Sequence, residues 1–152
     1  LAAPVIELVT MDRHDEADLA AISGGLEAFN AAQAGADGHL PVAILIKDQQ
    51  NGATIGGLLG DSFYDWLFVK MLVVPDTLRG TGIGKRLMAE AERVAIARGC
   101  AGIWLDTFEF QARGFYEKLG FTLFGTLPDH PRGMSRYFLC KRLDGAASHP
   151  PR

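Results

Sequence analysis

The chain has 152 residues, 48% of them apolar and 22% charged, with a formal net charge of −3. That is the size of one ordinary domain, long enough to bury roughly 70% of the surface its unfolded chain exposes. No basic stripe of the kind that marks a nucleic-acid binder is present, and no apolar run approaches the ~18 residues of a membrane span.

In chain order, "PVIELVT" (4–10) reads as a first strand. The start lacks the basic n-region and cleavage site of a secretory signal, and it lacks an initiator Met, which fits a removed leader. Residues 15–34 have helical period broken by Gly24-Gly25, so two short helices are expected. Strands at 41–48 and 53–61 flank Asn51-Gly52, a hairpin signal. A long strand follows at 64–74, with Phe63, Tyr64, Trp66 and Phe68 alternating between its faces. "GIGKRLMAEAERVAIARG" is the clearest helix, with Ile83, Leu87, Met88, Ala91, Val94 and Ala95 at three- and four-residue spacing and Gly99 closing it. A strand at 101–109, a short helix stopped by Gly120, a strand at 121–127, the loop "PDHPRGM" and a last strand at 135–143 complete the order. The ending "DGAASHPPR" is small, polar and proline-rich, so residues 145–152 are expected to form a disordered tail behind a single domain over 1–144.

Strands around two helical regions, with a strand–helix–strand unit over 64–109, give an α/β (α+β) domain with a mixed sheet. Cys100 and Cys140 lie far apart in apolar surroundings and read as reduced core thiols. His14, His39, His130 and His149 have no Cys or His neighbours at metal-ligand spacing, so no metal is expected.

The stretch "MLVVPDTLRGTGIG" (71–84) carries the chemistry. A Walker loop requires Gly where Arg79 stands and Ser or Thr where Arg86 stands. A dinucleotide loop requires a third glycine where Lys85 or Leu87 stands. What remains is Arg-x-x-Gly-x-Gly, formed by Arg79, Gly82 and Gly84. The first N–H groups of a helix lack internal partners, the helix dipole adds positive charge there, and glycines let an anion approach them. A pyrophosphate fits such a nest.

"LVVPDTLRGTGIGKRLM" followed by "FQARGFYEKLGF" resembles the GCN5-related N-acetyltransferase (GNAT) superfamily, and the element order resembles it over about residues 4–143. The resemblance implies a mostly antiparallel central sheet flanked by helices, splayed where acetyl-CoA binds. The bulged strand before the loop would offer Leu72, Val73 and Val74 to the pantetheine, which lies there like an added strand. Arg79, Gly80, Thr81, Gly82, Ile83 and Gly84, with Lys85, would hold the pyrophosphate. A backbone N–H near Val73 would polarise the thioester carbonyl. Tyr116 matches the family tyrosine beside the cofactor sulfur, and a phenol suits a thiolate leaving group. A packed core aromatic is the plain alternative for that residue.

The family's strand glutamate corresponds to Phe68, which cannot take a proton. Asp65, Asp106, Glu109 and His39 are the remaining base candidates. Glu109 stands where many relatives carry an asparagine. It can bind a cationic amine, accept its proton, or cap the helix beginning near Gln111. Asp61, Asp65, Glu109 and Asp129 suit a cationic acceptor such as a polyamine or an aminoglycoside, if they are more than solvated loop acids. Loop 128–134 is a candidate gate, with His130 read as an exposed loop histidine.

The leading expectation is an acetyl-CoA-dependent N-acetyltransferase acting on a small, cationic primary amine by direct transfer, in the cytoplasm, without nucleic-acid or membrane partners. A homodimer stays open. A protein or peptide amine as acceptor, and a CoA-binding module without turnover, are the alternatives.

Overall fold

The computed structural model describes residues 1–145. These form two compact units, one over Leu1–Asp37 and one from Gly38 on. From residue 146 the tail expected over 145–152 lies outside the described residues.

The first unit differs from expectation twice. Residues 1–14 form neither strand nor helix, so the strand expected at 4–10 is absent. A short apolar run names no partner for its backbone, and a strand needs one. In place of two short helices there is one, α1, over Glu16–Ala34. Its N-terminus is held by a reciprocal box in which Asp15 accepts from the Asp18 N–H at 2.8 Å and Asp18 accepts from the Asp15 N–H. Gly35, at φ 81°, closes it with a bond to the Ala31 carbonyl. Two interior glycines cost about 1 kcal/mol each, and a good cap restores a comparable amount.

The second unit is a six-stranded sheet in the order β1-β2-β3-β4-β6-β5. Its strands are β1 (Leu40–Lys47), β2 (Thr54–Phe63), β3 (Trp66–Val73), β4 (Gly102–Phe108), β5 (Thr122–Pro128) and β6 (Ser135–Arg142). Every neighbouring pair is antiparallel except β3 and β4, which are joined through helix α2 (Ile83–Ala97). This is the mixed, mostly antiparallel sheet that the sequence implied. The strand expected over 64–74 begins two residues later. Tyr64 and Asp65 instead make the two-residue β2–β3 turn, at φ 43° and 67°, and Phe63 faces Trp66 across it. Positive φ at both positions matches the twist of a tight hairpin.

One face of the sheet forms the core. Leu58, Leu67, Ile103, Leu105 and Leu139, each at most 1% exposed, pack with Met88, Ala91 and Ala95 of α2. The three- and four-residue spacing of that helix face is what brings those side chains together, and each fully buried leucine contributes about 1.5–3 kcal/mol. Short helix α3 (Arg113–Lys118) adds Tyr116, with Phe121 just beyond it. The alternate residues of β3 and β4 point the other way. There Phe68 stacks on Trp104 with ring centroids 4.1 Å apart.

Candidate active site

β3 and β4 are paired only over Trp66–Val69 and Gly102–Leu105. Beyond that both continue, to Val73 and to Phe108, without pairing to each other. The cause is visible on the β2 side. Leu59 faces Met71 and Gly60 faces Val69, so Lys70 is an extra residue in β3. Such a bulge bends its strand and raises the local twist, turning the end of β3 away from β4. Gly60 permits it, because a Cβ there would collide with the Phe68 carbonyl.

The gap between the arms opens into a cleft of about 1020 Å³. It runs along both arms, past the loop at Leu78–Gly80 and the start of α2, to Ala112, Phe115 and Tyr116. At its far end Gly82 is the N-cap of α2, in the left-handed region at φ 82°, with no side-chain cap. The first intrahelical bond is from the Arg86 N–H to the Gly82 carbonyl. The N–H groups of the first turn are therefore open to an anion, and nothing lies within 4 Å of where side chains would start at Gly80 and Gly82. Extended backbone with a free edge, leading into an uncapped helix start, fits a peptide-like chain ending in phosphates. The residues present thus suit CoA.

Of the residues expected to hold it, Leu72, Val73, Val74, Arg79, Gly80, Gly82, Ile83, Gly84, Lys85 and Tyr116 all line this one cleft. Thr81 does not, since its hydroxyl turns back to donate to the Leu78 carbonyl at 2.5 Å. The Arg79 guanidinium pairs with exposed Asp76 at 3.0 Å. The loop therefore presents backbone more than side chains.

Tyr116 is 8% exposed, with its ring against Phe115 and Phe121. Among the described residues its hydroxyl has no hydrogen-bond partner, yet no buried side-chain oxygen is left unpartnered, so the hydroxyl meets solvent at the cleft wall. Burial, and secondarily the negative charge of Asp106, pushes its pKa above the ordinary phenol value. It is a neutral O–H donor at any physiological pH.

Glu109 is not in the lining. Its N–H donates to the Ser135 carbonyl and its carboxylate accepts from the Tyr137 hydroxyl at 3.3 Å. It does not cap α3 either, whose N-cap is Ala112 without a side-chain bond. Gln111 takes the bracing role, accepting from the Phe108 N–H at 2.8 Å. Asp65 sits in the β2–β3 turn, and His39 donates to Asp61 at 2.8 Å, both away from the cleft. Phe68, in the family's glutamate position, is in the aromatic stack.

The cleft also holds an ion pair that the sequence had not joined. Arg136 of β6 donates twice to Asp106 of β4, at 2.8 and 2.6 Å, and once to His130 at 3.2 Å. Its guanidinium lies over the Phe108 ring, which stacks on Phe110. The register of β4 on β6 sets Phe108 against Arg136 and Asp106 against Phe138. No local pattern in the sequence states that register. His130, expected as an exposed loop histidine, is half-buried and tied into this cluster.

The acetyltransferase (GNAT) family profile matches residues 12–121, crossing both units. An acetyltransferase of Agrobacterium fabrum is 40% identical over 123 residues, 81% of this chain and 89% of that protein. The blasticidin-S acetyltransferase of Streptomyces morookaense is 41% identical over 95 residues, 62% of this chain and 70% of that one. Among solved structures, a protein from Agrobacterium tumefaciens assigned as an acetyltransferase superposes with a TM-score of 0.85 at 36% identity, covering 91% of this chain and all of its own.

Proposed function

This chain belongs to the acetyltransferase (GNAT) family, and from that premise we propose that it moves the acetyl group of acetyl-CoA directly to a primary amine on a small, cationic molecule. The observation that carries the reading is the continuity of the cleft. The unpaired arm of β3, the uncapped start of α2 and the Tyr116 hydroxyl all border it.

Each part has a task. The Leu72–Val74 backbone pairs with the amides of the pantetheine arm, and a backbone N–H near Val73 donates to the thioester carbonyl oxygen as negative charge develops on it. Gly80 and the run Gly82, Ile83, Gly84 and Lys85 take the pyrophosphate on backbone N–H groups. Tyr116, kept protonated by its surroundings, gives its proton to the departing sulfur. CoA supplies the activated acetyl group, and the protein supplies alignment and the exclusion of water.

A small-molecule acceptor is favoured over a protein one by the relative whose name gives blasticidin-S as its substrate. A cationic acceptor is favoured by a carboxylate in the cleft wall.

The test has two stages. Acetyl-CoA should raise the melting temperature by mass action, and a panel of amines with acetyl-CoA should release free CoA thiol. No shift at millimolar acetyl-CoA removes the reading. A shift with thiol release on peptide amines alone replaces the small acceptor by a protein.

A further inference from the structure

We infer that Asp106 is the group that binds the acceptor's ammonium and takes its proton, and that Arg136 and His130 position it. This rests on the acetyltransferase reading above and names the acceptor subsite within it.

Asp106 is the only acidic side chain among the described residues that line the cleft. It stands one residue beyond Leu105, where β3 and β4 stop pairing, and so beside the point at which the acetyl end of an extended ligand arrives. Both of its bonds from Arg136 land on Oδ1. Among the described residues Oδ2 has no hydrogen-bond partner, and since no buried side-chain oxygen there is left unsatisfied, it keeps contact with solvent. One oxygen is clamped, and the other is left for a ligand in the cleft that Asp106 lines.

The clamp is itself held. The guanidinium can only donate, so the His130 Nε2 facing it accepts, and the His130 and Phe108 rings meet in a T-shaped contact. The arginine cannot swing away without breaking three contacts. Among the described residues, the titratable and charged groups around Asp106 are Arg136 from β6, His130 from the β5–β6 loop, Tyr116 from α3 and Lys70 of β3, which also lines the cleft. Lys70 is already paired with Asp61 at 2.9 Å.

An ionised carboxylate oxygen in this place selects an ammonium and orients it toward the thioester. An ammonium has no lone pair, so a proton must leave before or as the new bond forms. In the step, the ammonium gives one proton to Asp106 Oδ2, which releases it to solvent through cleft water, and the neutral nitrogen forms its bond to the thioester carbon. The carbon–sulfur bond breaks, and the Tyr116 proton goes to sulfur. The second nitrogen proton returns to the Tyr116 oxygen through cleft water, and the products are the amide, free CoA thiol and one proton in solvent. The other base candidates are outside the cleft, and Phe68 removes the strand carboxylate, so the task falls to β4.

The test uses the full chain, acetyl-CoA and whichever amine the panel finds. Asp106→Asn should lower kcat/KM at pH 7 by about 100-fold or more, within the range general-base loss usually gives. Acetyl-CoA affinity should stay within about 3-fold, as judged against the uniform-binding case. The deficit should shrink toward 10-fold as pH rises to the amine's own pKa, because a neutral amine needs no base. Asp106→Glu should recover part of the loss. If Asp106→Asn misfolds for want of a partner for Arg136, the double variant Asp106→Asn, Arg136→Met removes both charges and carries the same expectation. Wild-type turnover in a folded variant, or a loss equal at every pH, overturns the assignment while leaving the acetyltransferase reading intact. If the wild-type chain acetylates no amine, both fall together.

Discussion

Val69 and Leu105 are the last residues at which β3 and β4 remain partners, and Lys70, the next residue in β3, is the bulge. The local distortion and the opening of the cleft are thus one feature. Gly60→Ala tests this. Its Cβ would meet backbone at Phe68, and 3.3 Å away the Val42 side chain, so strand β2 must move. The expected destabilisation is about 1–3 kcal/mol, the usual cost of overpacking. Gly102→Ala is the control, since its Cβ would sit 2.5 Å from the Lys141 carbonyl oxygen and 2.6 Å from the Trp66 ring, at the closed end of the pair. Thermal unfolding should show both losses. Only Gly60→Ala should also weaken acetyl-CoA binding at temperatures where both variants are folded. Equal affinities would disconnect the bulge from the cleft.

Tyr116→Phe should separate chemistry from packing. The hydroxyl has no hydrogen-bond partner among the described residues, so its removal orphans nothing there, and stability should stay within about 0.5 kcal/mol. Turnover should fall about 100-fold with acetyl-CoA affinity nearly unchanged. The sign of the pH dependence follows from burial and the Asp106 charge, which raise the phenol's pKa. The protonated form is the active one, so this group removes activity only as pH climbs through a value above ~10. The wild-type to Tyr116→Phe ratio of kcat should therefore be flat from pH 6 to about 10. A ratio that declines near neutrality would take the acid role from Tyr116.

How much of this was written in the sequence depends on the range of the interaction. The glycine loop, α2 and the short α3 are local objects, set by spacing, N-terminal glycines and closing glycines, and they stand where the pattern puts them. The strand at 4–10 failed because an apolar heptad does not name a partner. The single helix α1 was hidden because Gly24-Gly25 reads as a break, while the Asp15–Asp18 box that steadies it lies outside the apolar period. The Asp106–Arg136 pair spans thirty positions and exists through the β4–β6 register. In the sequence, Asp106 was one of four candidate bases, and only the ladder singles it out. Glu109 drew notice as a departure from the family pattern, yet its backbone bond to Ser135 and its bond from Tyr137 occupy it elsewhere.

Asp61 sets an acid limit on stability. Hydrogen bonds from Lys70, and then from His39, hold its carboxyl below the usual range. A depressed carboxylate contributes stability that is present above its unfolded value of ~3.9 and is lost as pH falls through the lower folded value. Asp61→Asn should therefore melt a few degrees below wild type at pH 7, on the order of 1 kcal/mol for a pair with one exposed partner. The difference should shrink as pH falls below ~3.9 and vanish once the wild-type carboxylate is protonated in the folded state as well. A gap that persists in acid would assign the loss to packing.

Gly82 has two reasons to be glycine, and substitution can tell them apart. Its φ of 82° disfavours any side chain, by roughly 1–2 kcal/mol. The space above it is open, with nothing within 4 Å of a Cβ position, and that space is where an anion would meet the first turn of α2. Gly82→Asn, which tolerates the left-handed region better than other residues, should keep most of the stability while its side chain fills the nest. Gly82→Trp fills it completely. Isothermal titration with CoA and with dephospho-CoA, which share the pyrophosphate, should show both ligands weakened at least 10-fold by Asn and undetectable with Trp. Desulfo analogues, altered only at the thiol, should lose affinity in parallel. Tight binding retained by a folded Gly82→Trp protein would move the pyrophosphate off α2, and with it the alignment of the thioester between Val73 and Tyr116.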